Sequence, residues 1–429
     1  MTRSTTTPRQ NAQIKPSKLL TFHLALQHWY QTHGRHDLPW RKTRDPYRIW
    51  VSEIMLQQTQ VATVRDRYYE PFLKKFPTLE ALAAAPREAV MKAWEGLGYY
   101  RRAAHLHEAA AQLAPPSLRG GLKAAEAIQR AESSAQSISF AGLLRYARND
   151  ELPPLATHYA LLTTLPGIGR NTAHAILAFA YHQPVAVMEA NVKRVVARVF
   201  ALAQPKETEL WAGAEILMGL PMRLSKPSSR STRAQGGRVA ALRNRTEHGR
   251  DKEIGQRNAW MNCFHYNQAM MDLGALICTP KAPRCGECPA ASICKGRAQP
   301  EHYPQAKAKK KISTRQVVIL VREDTRGRFY LEKRKSRLLG GLYGFPQYPP
   351  EYRGGEFIGR LRHVYSHFRL AAEVRREQVR AGNSPDWHSR NALASLPLSR
   401  LDRNVLKLLQ PVRVAHKNPA RRKVRLTEE

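Results

Sequence analysis

At 429 residues the chain is longer than one ordinary core can fill and suits two or three packed units. Its 70 Lys and Arg against 34 acidic residues give a formal charge of +36, far beyond what solubility needs, which points to a polyanion partner and first to nucleic acid. No apolar run approaches the roughly 20 residues of a bilayer span. Residues 1–18 are basic, rich in Ser and Thr and without the apolar stretch of a secretory signal, so they read as a disordered tail.

Residues 20–114 read as helical, with amphipathic runs punctuated by Phe76-Pro77-Thr78 and Glu95-Gly96-Leu97-Gly98. Asp45-Pro46 opens one helix as N-cap and first residue. Glu53 falls two turns in, beside Ile54, Met55 and Leu56. It is either a solvated residue on the outer face or a buried acid with a raised pKa. Residues 115–153 and 222–258 are poor in large apolar residues and interrupt helical patterns, so they read as inserts without chemistry. Each doubling of a surface loop adds only about 0.6 kcal/mol of closure cost. The end of the first insert, Leu143 to Asp150, resembles translated palindromic repeats of some intracellular bacteria.

A second helical region runs from about His158 to Leu220. In it Leu165-Pro166-Gly167-Ile168-Gly169-Arg170 reads as a turn between helices, whose glycines admit a phosphate and whose following N–H groups form an anion site. The strand-like run Val185-Ala186-Val187-Met188 ends at Glu189, just before a helix beginning near Asn191. A helix N-terminus favours an ionised carboxylate, so Glu189 is expected to stay negative while Glu53 holds a proton. Two acids in opposed environments suit cleavage of a glycosidic bond.

A third helical region leads from about Ala259 to Cys278, Cys285, Cys288 and Cys294, spaced C-x6-C-x2-C-x5-C. Four thiolates this close enclose one tetrahedral metal or one cubane cluster, and spacing alone supports zinc and [4Fe-4S] equally. Such crowding suits a reducing compartment, the cytoplasm. Cys263 lies outside the motif and reads as a buried thiol. A polar linker follows over 301–313. Short strands at Val317–Val321 and Phe329–Leu331, around the turn Asp324–Gly327, then mark a separate α+β domain over 314–411. The basic tail 412–429 is expected to be disordered.

The run Asp45-Pro46-Tyr47-Arg48-Ile49-Trp50-Val51-Ser52-Glu53-Ile54-Met55-Leu56-Gln57-Gln58-Thr59 resembles the adenine glycosylase signature almost residue for residue. The hairpin, followed by a carboxylate and Asn191-Val192-Lys193-Arg194-Val195, resembles the helix-hairpin-helix glycosylases. The cysteine spacing is that of the endonuclease III superfamily, which implies a [4Fe-4S] cluster. Leu338–Pro346 and Val364–Phe368 resemble the MutT-like domain at the C-terminus of adenine glycosylases, without the Glu/Arg pattern of active Nudix hydrolases. The chain is thereby identified as a member of the MutY family over residues 20–114, 154–221, 259–300 and 314–410.

The resemblance implies a mainly α glycosylase domain over 19–300 with an iron-sulfur loop, plus an α+β Nudix-like domain, in a monomer. Its implied partner is double-stranded DNA carrying adenine opposite 8-oxoguanine or guanine. It makes Glu53 the general acid and Glu189 the second carboxylate, oriented by Asn191. Leu38, Trp40, Arg41, Leu56, Val61 and Gln268 would form the adenine pocket. Gln58 and Tyr99 would wedge into the base stack, Gly167, Gly169, Arg170 and Asn171 would hold the DNA, and Tyr365, Ser366, His367 and Phe368 would meet 8-oxoguanine.

The chain departs from the family at two places. Glu189-Ala190-Asn191 stands where the family has Asp-Gly-Asn, so one extra methylene moves the carboxylate by roughly 1.5 Å. Ala190 would also be strained if that Gly adopts a positive φ. Bifunctional relatives place a Schiff-base Lys at the position of Asn171, and the neighbouring Arg170 stays protonated, so base excision without strand cleavage is expected. Three other readings remain at this point: a bifunctional pyrimidine glycosylase, a lesion binder without turnover, and a basic RNA-binding protein, which leaves the cysteines unexplained.

Overall fold

The structure is a computed structural model that describes residues 14–114, 155–219, 262–305, 312–335, 339–365, 367–380 and 384–409. Both expected inserts, most of the N-terminal tail, the whole C-terminal tail, Leu338 and Ser366 lie outside these residues. The chain divides into two compact units, residues 1–90 with 102–309 and residues 91–101 with 310–429.

The first unit is helical. Helix α1 (Pro16–His33) begins inside the expected tail, because Pro16 pre-sets the first-turn φ. Next come α2 (Pro46–Leu56), α3 (Val61–Arg67), α4 (Tyr69–Lys75), α5 (Leu79–Ala84) and α6 (Arg87–Ala93), whose last residues fall in the second unit. Helix α7 (Arg101–Leu113) precedes the first insert. Helices α8 (Leu155–Thr164), α9 (Arg170–Ala180), α10 (Ala190–Val199) and α11 (Glu207–Leu217) lie between the inserts, and α12 (Cys263–Asp272) leads through a π-helical turn, Leu273–Ile277, to the cysteines. Phe22 and Leu26 of α1, Val196 and Ala197 of α10, Leu217, Ala269 and Leu273 are fully buried in one core.

Asp45 caps α2, its carboxylate accepting from the Tyr47 and Arg48 amides, and this fixes where Glu53 falls. Leu165-Pro166-Gly167-Ile168 forms a tight turn closed by Ile168 N–H to Leu165 O at 3.2 Å. Gly167 has φ +81, the value a type II turn with Pro at its second position demands. A Cβ there would also lie 2.9 Å from the Cβ of His105.

The second unit is α+β. Its strands are β1 (Ser313–Asp324), β2 (Arg328–Tyr330), β3 (Glu332–Lys333), β4 (Tyr343–Gly344), β5 (Gln347–Tyr348), β6 (Glu356–Val364), β7 (Phe368–Val379) and β8 (Trp387–Ser389), and the main sheet runs β6-β7-β1-β2-β8, with β5 also on β1. Strands β1 (Ser313–Asp324) and β7 (Phe368–Val379) pair in parallel, and β6 (Glu356–Val364) pairs antiparallel to β7. The expected turn holds, with Gly327 N–H on Asp324 O leading into β2 (Arg328–Tyr330). Ile319, Val321, Phe329 and Val374 pack against Leu401 and Val405 of the terminal helix, Arg400–Leu408.

Candidate active site and cysteine loop

Glu53 sits between Ser52 and Ile54, both buried, yet its own surface is only half-buried. Crowding of its carboxyl pushes the pKa up to about 7, helped by the negative charge of Glu189 and opposed by Arg41. Glu53 is therefore a buried-type acid that keeps some access to solvent, rather than a solvated outer-face residue.

Glu189 is the N-cap of α10, and its side chain makes no capping bond of full geometry. Its pKa is raised from the usual carboxylate value. Burial is the larger cause and outweighs the Asn191 and Val192 groups that favour the ion. The negative charge of Glu189 adds to burial in raising the Glu53 pKa. Ala190 begins α10 and is absent from the positive-φ residues, so no backbone strain arises from the missing glycine.

The run before Glu189 is buried but pairs with no strand among the described residues, contrary to its strand-like reading. Side chains take the place of a ladder. Asn267 of α12 accepts from Val187 N–H at 2.8 Å and donates to Val185 O at 2.9 Å, while Asn171 of α9 accepts from Met188 N–H at 2.7 Å. His174, held neutral by burial with a pKa near 4, donates its Nδ1 proton to Ala186 O. Asn171, expected on the DNA side, is thus committed to the backbone just before Glu189. Arg170, expected to meet DNA, pairs with Glu215 and stacks on Trp211.

Arg41 is bound in a bidentate pair to Asp272, which also accepts from the Arg35 amide and guanidinium. Asp272 is fully buried; burial alone would raise its pKa, but the two guanidiniums hold it below the usual range. Removing one member of such a buried network leaves charge unpaired. Asp272→Asn is expected to cost about 3–5 kcal/mol of stability at neutral pH, and a change under about 1 kcal/mol in urea unfolding would contradict it. Because the folded pKa is depressed, the native contribution of Asp272 is present above the unfolded value and fades as pH falls through the folded one.

Leu38 and Trp40 are buried, Trp40 against Tyr69 at 5.3 Å. Leu56 and Val61 are half-buried and Gln268 is buried. Arg41 Nε, Glu189 Oε1 and Gln268 Oε1 are buried with no hydrogen-bond partner among the described residues. Gln58 and Tyr99 are exposed and both lie in the left-handed region, with φ 56 and 49. Sequence reading missed Asp272, Asn267 and Arg194. Only Asp272 carries a signal, a carboxylate one helical turn after Gln268.

Around the cysteines, Arg198 donates to Cys278 Sγ at 3.3 Å and to the carbonyls of Thr279, Pro300 and Tyr303. Arg194 bonds Cys278 O, Gly274 O and Asn191 Oδ1. No three Cys, His, Asp or Glu side chains among the described residues are placed closely enough to hold a metal ion. The four thiols nonetheless share one patch. Burial and then the charges of the other cysteines push Cys288 up to about 12, and burial with Cys278 and Cys285 pushes Cys294 up to about 11. Arg198, whose guanidinium bonds Cys278 Sγ, stands beside this patch. Cys263 is half-buried, donating to His182 O, rather than fully buried.

In the second unit Tyr365 stacks on Phe368 at 4.6 Å and its amide bonds Phe368 O. Phe368 is not a loop residue: it opens β7 and is 4% exposed in the core. An aromatic side chain facing that core buries more area than a loop tip would allow. His367 remains at the tip of the hairpin between β6 and β7.

Residues 51–214 match the HhH-GPD superfamily of base excision DNA repair proteins, and residues 317–408 match the NUDIX domain family. An adenine DNA glycosylase of Buchnera aphidicola subsp. Baizongia pistaciae is 28% identical over 77% of this chain and 74% of its own. The Homo sapiens adenine DNA glycosylase is 34% identical over 66% of this chain and 41% of its own. A thermostable thymine-DNA glycosylase structure covers 66% of this chain and 98% of its own at 23% identity and a TM-score of 0.42. No helix among the described residues is long and apolar enough to cross a membrane.

Proposed function

The chain belongs to the MutY family of adenine DNA glycosylases within the helix-hairpin-helix superfamily, as a base excision repair enzyme acting on DNA, and on that premise we propose that it removes adenine paired with 8-oxoguanine or guanine. One observation supports the chemistry above all: Glu53, with its pKa near 7, lies close enough to Glu189 to feel its charge. Glu53 gives its proton to a ring nitrogen of the flipped adenine, and the electron pair of the glycosidic bond leaves with the base. The Glu189 carboxylate stabilises or captures the cationic sugar carbon until water completes the hydrolysis. Asn171, Asn267 and His174 hold the backbone that carries Glu189, and Asn191 favours its ion.

Arg41 Nε and Gln268 Oε1, buried and without a partner among the described residues, suit the edge of a purine, and Leu38, Trp40, Leu56 and Val61 complete the pocket. Gln58 and Tyr99 enter the stack. The amides opening α9 after Gly169, where a Cβ would meet nothing within 4 Å, receive a phosphate. Tyr365, Ser366 and His367 contact 8-oxoguanine, with Phe368 as the buried anchor of that hairpin. Cys278, Cys285, Cys288 and Cys294 would hold a [4Fe-4S] cluster, whose thiolate bonds would tie the loop down. The enzyme works as a monomer at the nucleoid, in the reducing cytoplasm.

Single-turnover release of adenine from a duplex with adenine opposite 8-oxoguanine tests this reading. Release faster than from a thymine pair supports it; tight binding without release would make the chain a lesion binder instead. With Asn171 in place of an amine, borohydride is expected to trap no covalent adduct, and a trapped band would mark a bifunctional enzyme.

A further inference from the structure

We propose that Arg102 is a positioning residue for Gln58, fixing the turn that carries it. Helix α2 ends at Leu56, and the chain then turns through Gln57 to Gln58, whose φ of 56 is unusual for a residue with a side chain. Such a conformation is strained and persists only where the surroundings over-determine it. Arg102, the second residue of α7, supplies that determination. Its Nη1 donates to Ile54 O and Met55 O at 2.8 Å and to Gln57 O at 2.5 Å, and its Nη2 to Thr59 Oγ1 at 3.1 Å.

Two of those carbonyls belong to the last turn of α2, which leaves its final carbonyls without helical partners. The other two acceptors stand immediately before and after Gln58. Gln57 is pinned further by its amide, which reaches Thr172 Oγ1 of α9 at 3.3 Å. Every neighbour of Gln58 is therefore tethered while Gln58 itself is exposed. A guanidinium is the one side chain whose rigid fork serves so many acceptors at once; a Lys ammonium on a flexible stem does not. If Arg102 only capped a helix, its loss would destabilise the fold without depending on what side chain stands at position 58.

The inference rests on the reading of Gln58 as a stack-entering residue. A double-mutant cycle on the full chain tests both, with two readouts: affinity for an 8-oxoguanine duplex relative to undamaged DNA, and fluorescence of 2-aminopurine placed beside the lesion to report unstacking. Gln58→Ala and Arg102→Lys are each expected to lower lesion preference about tenfold and to dim the fluorescence, with the double variant no worse than Gln58→Ala. Thr59→Val, which removes one acceptor, should give a smaller loss that also vanishes in the Gln58→Ala background, and it carries the test if Arg102→Lys does not fold. Multiplying effects, or no effect of either Arg102→Lys or Thr59→Val while Gln58→Ala is defective, overturn the role of Arg102 alone. An inert Gln58→Ala removes the premise, and the proposal with it.

Discussion

Glu53→Gln is expected to reduce adenine release at least a thousandfold, within the range of about 100- to 10,000-fold that a positioned proton donor contributes. Binding to the lesion duplex should survive, because the amide keeps the shape of the carboxyl. The pH profile carries the sharper check. With its pKa near 7, Glu53 holds its proton below that value, so single-turnover release by the native enzyme should fall as pH rises through about 7. A native profile that is flat from pH 6 to 8 would remove Glu53 as the acid. Stability moves with the same group. The folded pKa lies above the unfolded one, so the folded state binds the extra proton between roughly pH 4.5 and 7. Native stability therefore declines as pH rises through that window. Glu53→Gln should lack this decline and melt higher than the native protein at pH 8.

Glu189→Gln is expected to remove activity to a similar degree, since a neutral amide cannot balance a cationic sugar. Glu189→Asp separates two histories of this site. One methylene shifts the carboxylate by roughly 1.5 Å, and a 1 Å misplacement can cost on the order of a hundredfold. Restoring the family's shorter acid should therefore raise the release rate by up to about a hundredfold. A lower rate in Glu189→Asp would mean that the surroundings have readjusted to the longer side chain. Ala190, already helical without a positive φ, gives the shorter acid no obstacle.

The features legible in the sequence were those decided by near neighbours. Asp45-Pro46 announces α2 because capping is a local interaction, and the helical spacing then puts Glu53 among Ile54 and Met55. The Pro-Gly pair at 166–167 announces its turn for the same reason. The turn and strands around Asp324 to Gly327 followed from residues only a few positions apart. What stayed hidden depends on distant partners. Nothing near Val185 says that its backbone is served by Asn267 rather than by a strand, and nothing near Asp272 says that Arg35 and Arg41 enclose it. The raised pKa of Glu189 was not legible, because the helix N-terminus is visible locally while the burial that opposes it is not. Phe368 looked like part of a recognition loop until the sheet register made it the first core residue of β7.

The unladdered segment before Glu189 also limits which sequences this site accepts. In a sheet, backbone pairs with backbone, and almost any residue can occupy the neighbouring strand. Here the donors and acceptors are two asparagine side chains and a neutral histidine. Asn267 must both give and take a hydrogen bond, so neither Asp, which only accepts when ionised, nor Leu can replace it. Three positions whose side chains serve the backbone before Glu189 thereby become as intolerant of exchange as the carboxylate they support. Variants at 171, 174 and 267 should surface as inactive enzymes long before they surface as unfolded ones.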